Sequence, residues 1–95
     1  MKKGRWGYEP VANPRSIDDL MRDPAITNPL REYLRDRGET LVGLARRMGV
    51  NYHTLSVISL GYRPCPADLL MQISLDLGLE PERVPIRRWS AKEEA

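Results

Sequence analysis

Residues 40–61 read TLVGLARRMGVNYHTLSVISLG, and their spacing decides the fold. Leu41, Leu44, Ala45 and Met48 fall at i, i+3, i+4 and i+7, which lines one face of a helix. Thr40 stands where a cap belongs, and Gly49 where a helix stops. A second helix follows almost at once, with Asn51 as its cap, Leu55 and Ile58 as its inward pair and Gly61 as its stop. The link Gly49-Val50-Asn51 is so short that it forces the two helices to cross at a large angle. A glycine there takes a positive φ with no Cβ clash, and Val50 is the apolar plug such a turn needs.

Upstream, Leu30, Tyr33, Leu34 and Arg37 repeat the helical period, with Asn28 as cap, Pro29 at the first position and Gly38 as the end. Downstream, Leu69, Leu70, Ile73 and Leu77 face one way, Pro66 suits the first turn and Gly78 closes the helix. A further short turn begins at Pro81 and takes in Val84 and Ile86. Nearer the start, Ser16 caps a short helix, with Asp19 three residues on. Asp23-Pro24 and Asn28-Pro29 then break the chain. The opening MKKGRWGYEPVANPR is cut by Gly4, Gly7, Pro10 and Pro14 and has no helical period, so it reads as an arm. The expectation is an all-α bundle of about five helices. An arm with a short helix occupies 1–28, the helical domain 29–84 and a tail 85–95. Val84, Ile86 and Trp89, or Ile17, Leu20 and Met21, either cover the core or form a dimer surface, and covering a small helical core is the favoured role.

Composition narrows the function. Ninety-five residues allow one domain. No apolar run exceeds three residues, so no membrane span is expected. One cysteine, Cys65, permits no internal disulfide and fits a reducing, cytoplasmic setting. With His53 the lone histidine, no Cys/His metal site and no cofactor are expected. The carboxylates are scattered and no nucleophile–base set is suggested by spacing, so an enzyme is not expected. Cys65 lies between two prolines at a helix start. That position lowers a thiol pKa in a redox sensor, but packing is the simpler role. The net charge of +2 says little, whereas its layout says more. Residues 40–67 hold Arg46, Arg47 and Arg63 and no acid, as a surface facing an anion would. Twelve of the fifteen basic residues are arginine, which suits forked phosphate contacts.

With these residues in view, Thr40-x-x-x-Leu44-Ala45 through Gly49-Val50-Asn51, Thr54-Leu55, Ile58 and Gly61-x-Arg63-Pro64 resembles the Cro/repressor type of helix-turn-helix. The stretch Pro66-x-Asp68-Leu69-Leu70-x-x-Ile73 to Leu79 is similar to that family's fourth helix. The resemblance covers about residues 29–84. It implies a DNA-binding transcriptional regulator whose helix 51–60 enters the major groove of double-stranded DNA, N-terminal end first. It places base contacts on Tyr52, His53, Thr54 and Val57. It places phosphate contacts on Thr40, Leu41, Asn51, Ser56 and Arg63, with Leu60 nearby. A homodimer would set two such helices about 34 Å apart. Lys2, Lys3 and Arg5 of the arm would reach the adjacent minor groove.

Departures from the family pattern open a rival. Leu41, Val57 and Leu60 stand where polar residues are usual, and together they would form an exposed apolar patch. Such a patch fits a protein partner, so the same fold could serve as an antitoxin or an RNA-polymerase-binding module. The family's ion pair between its first and third helices maps onto Leu34 and Ser59, which suggests apolar packing in its place. Plainer readings stand beside the functional ones. Tyr52 can pack over the turn, Arg46 and Arg47 can form a solvated face, and the arm can be idle.

Overall fold

Four helix starts are held by side-chain caps, all at positions the sequence marks. The Ser16 hydroxyl accepts the Asp19 N–H at 3.1 Å, and the Asn28 side-chain oxygen accepts the Arg31 N–H at 3.0 Å. Thr40 accepts from Gly43, and Asn51 from Thr54, each at 3.1 Å. These bonds satisfy amides that have no partner inside the helix. The computed structural model describes residues 10–86. In chain order they form α1 (Ile17–Arg22), α2 (Pro29–Asp36), α3 (Leu41–Met48), α4 (Tyr52–Ser59) and α5 (Ala67–Leu77). A single 3-10 turn, Pro81–Arg83, follows. The protein is an all-α bundle, and the five expected helices are present.

The turn from α3 to α4 shows why glycine is needed there. Gly49 sits at φ 70° and ψ 28°, in the left-handed region. Its N–H donates to Arg46 O, and the Val50 N–H reaches back to Ala45 O at 3.0 Å, the Schellman pattern of a closed helix end. Val50 and Met48 pack against the core from this turn. The two helices meet along their apolar stripes, with Leu41, Leu44 and Ala45 of α3 and Leu55 and Ile58 of α4 buried.

One core unites every element. Leu20 of α1, Leu30 and Leu34 of α2, Leu44, Leu55 and Ile73 join Val84 and Ile86, all essentially inaccessible. Burying each such side chain is worth about 1.5–3 kcal/mol. The expected divisions at 28/29 and 84/85 therefore do not separate packing units. Leu20 lies inside the domain, and Pro85 and Ile86, expected in the tail, are buried. Leu20, Val84 and Ile86 thus cover the core, whereas Trp89 lies outside the described residues.

The segment before α1 is also fastened. Val11 N–H donates to Asp36 O at 2.8 Å. The Arg15 guanidinium donates to both Asp36 oxygens, at 2.9 and 2.8 Å, and to Glu32 at 3.0 Å. From Val11 onward the expected arm is therefore part of the domain. No helix among the described residues is long and apolar enough to cross a membrane.

Candidate nucleic-acid interface

The start of α4 is open to solvent. Asn51, Tyr52 and His53 are exposed, Tyr52 to 48%. Thr54, Ser56 and Val57 are half-buried. One turn further, Leu55 and Ile58 anchor the opposite side in the core, and α2 and α3 both pack against α4. The helix is thus gripped by its apolar stripe while its leading end projects.

Of the expected base contacts, Tyr52 and His53 are open to a ligand and have no side-chain partner among the described residues. Thr54 and Val57 are only partly accessible. Among the expected phosphate contacts, Arg63 and Asn51 are exposed and Thr40 and Ser56 half-buried. The oxygens of Thr40 and Asn51 are occupied by caps, which leaves the Thr40 hydroxyl hydrogen and the Asn51 amide as donors. Leu41 can meet a phosphate only through its backbone N–H, because its side chain is 4% exposed. That amide opens α3, where the helix supplies no acceptor. Lys2, Lys3 and Arg5 lie outside the described residues.

The exposed patch of Leu41, Val57 and Leu60 does not exist as expected. Leu41 is buried and shares a cleft with Leu60, while Val57 does not line it. Leu41 turns inward because it is the first apolar position of the α3 stripe, in register with Leu44 and Ala45. The link across α2 and α4 also differs from expectation. Leu34 enters the core, but Ser59, fully buried, is tied by a hydrogen bond rather than by apolar packing. The Asn28 amide donates to its hydroxyl at 3.1 Å, and that hydroxyl donates to Ser56 O at 2.9 Å. A buried hydroxyl needs such partners.

Charge in the acid-free stretch is partly spent inside the molecule. Arg47 Nη2 lies 2.8 Å from both Glu39 and Asp76, so Arg47 fastens α3 to α5. Its hydrogen bond to Asp76, with the pairing to Glu39, raises its pKa above the usual value. Arg63 is exposed with no ion-pair partner among the described residues, and Arg46 is exposed. Two basic residues that the sequence reading passed over, Arg31 and Arg35, stand beside Thr40 and Ser56. Their spacing of one helical turn on α2 is a signal that could have found them. Cys65 is buried, and desolvation pushes its thiol up to about 11, the reverse of a lowered redox-type pKa. Among the described residues no group of three His, Cys, Asp or Glu side chains is placed to hold a metal ion. No family model matches the chain, and neither a curated protein nor a solved structure is found similar to it.

Proposed function

We propose that the chain is a cytoplasmic, non-catalytic, sequence-specific DNA-binding transcriptional regulator, with α4 as the helix that enters the major groove. The observation that carries this reading is the projecting first turn of α4, where Tyr52 and His53 stand free above a base fixed by Leu55 and Ile58. Around it, Arg63, Arg31, the Ser56 hydroxyl and the opening amides of α3 supply the donors that phosphates need. Specificity then needs two half-sites, read by a homodimer. The rival reading, a protein-binding module, loses the continuous outer patch it requires, because Leu41 is buried away from Val57.

The test is selection of a preferred duplex from random sequence, followed by fluorescence anisotropy on that duplex and on random DNA. Replacing Tyr52 and His53 together by Ala should weaken the selected site several-fold more than random DNA. Each phosphate contact should add about 0.9 to the slope of log affinity against log salt. Equal losses on both duplexes, or affinity indifferent to salt, would refute the proposal.

A further inference from the structure

A cleft of roughly 520 Å³ opens between α2, the first turn of α3 and one stripe of α4. Arg31 and Arg35 line it from α2, while Leu41, Val42 and Leu60 supply apolar lining. Tyr52 and Ser56, one turn apart on α4, add hydroxyls.

The electrostatics favour an anion there. Arg31 has no carboxylate partner among the described residues. Arg35 lies 4.0 Å from Glu32, a carboxylate whose other oxygen is held by Arg15 at 3.0 Å. The acid in the lining, Glu39, has Arg47 at 2.8 Å. Arg15 also serves Asp36 and Arg47 also serves Asp76, so Arg31 is the cation of this lining that has no carboxylate partner among the described residues. The Leu41 and Val42 amides open α3, and the next two N–H groups are taken by Thr40. The apolar lining favours something else. The side chains of Val42 and Leu60 offer nothing to a bare inorganic anion and would cost it hydration. They do favour a carbon skeleton, and the volume lies in the range of small-molecule sites.

We propose that this cleft binds a small organic anion with an apolar body, a carboxylate or sulfonate carried on an aromatic ring or short acyl chain. Its charge meets Arg31 and the opening amides of α3, and its body lies against Val42 and Leu60. Binding of this ligand stands independently of the DNA reading. Where both hold, ligand and duplex exclude each other, because they share the α3 amides and Ser56.

The test is a titration of the full chain, followed by amide chemical shifts in NMR, with naphthalene-2-carboxylate, its neutral carboxamide and inorganic phosphate. The carboxylate should give saturable shifts at Arg31, Thr40 to Val42, Ser56 and Leu60. It should bind at least about fivefold tighter than the carboxamide, the advantage of a charge-assisted pair. Arg31→Gln should shrink that preference, and Leu60→Asn should weaken both naphthalene compounds alike. Arg31 is exposed and Leu60 half-buried, and the unliganded spectra report whether each variant keeps the fold. Equal affinity for carboxylate and carboxamide would overturn the proposal. So would phosphate binding as tightly as the carboxylate, or shifts that centre on the exposed Met71 and Leu75 of α5.

Discussion

Removal of the Asn28 side chain probes the join between α2 and α4. Asn28 is 5% exposed and does two things at once. Its oxygen caps α2 through the Arg31 N–H, and its amide donates to the buried Ser59 hydroxyl. Asn28→Ala loses the cap, at about 1 kcal/mol. It also loses one neutral buried hydrogen bond, at about 1 kcal/mol. The Ser59 hydroxyl still donates to Ser56 O, so no further penalty arises. The sum is about 2 kcal/mol, or a fall in Tm of about 8–16 °C for a domain of this size. Asn28→Ser keeps a cap but is too short to reach Ser59, and should fall about half as far. Calorimetry on both variants, and urea denaturation of a cycle with Ser59→Ala, measure the two terms separately. A coupling energy near zero between positions 28 and 59, or an Asn28→Ala Tm within about 2 °C of the parent, would refute this account.

Other consequences can be measured on the same protein. The Arg15 hydrogen bonds hold the Asp36 carboxyl below its ordinary value, so the unfolded chain binds this proton more readily than the native one. Stability from the pair is complete above the ordinary carboxylate pKa and is lost as pH falls through the depressed one. Arg15→Ala should flatten the acid limb of a urea-stability profile, and an unchanged limb would show that the pair is idle. Gly38 and Gly49 both have positive φ, at 83° and 70°, so alanine at either costs about 1–2 kcal/mol. At Gly38 the new Cβ would also meet Pro10 at 3.0 Å, whereas at Gly49 nothing lies within 4 Å. Gly38→Ala should therefore be the more damaging in thermal melts, and the opposite order would contradict the packing of Pro10. Burial pushes the Cys65 thiol up to about 11, so iodoacetamide at pH 8 should label it slowly in the native protein and quickly in urea. Similar rates in both would show that the site is open.

Much of the fold is written locally. The caps at Ser16, Asn28, Thr40 and Asn51 and the stop at Gly49 act within a few residues of themselves, and all stand where the sequence places them. The stripe of Leu41, Leu44 and Ala45 likewise reports its own helix. For the candidate site, the exposed end of α4 at Tyr52 and His53 was legible for the same reason: the inward pair Leu55 and Ile58 leaves it on the far side.

What tertiary structure alone decided concerns partners far apart in the chain. Arg47 looks like part of an anion-facing stretch until folding brings Asp76, 29 residues away, within 2.8 Å. Arg15 reads as part of an arm until Asp36, 21 residues on, receives it. Arg31 and Arg35 reach the opening of α3, and Leu41 reaches a cleft wall, only because α2, α3 and α4 pack as they do. Helical period states which side of each rod is apolar, because that depends on residues three and four apart. It carries no record of which polar side faces which neighbour, because that follows from the packing of rods whose contacts are remote in sequence.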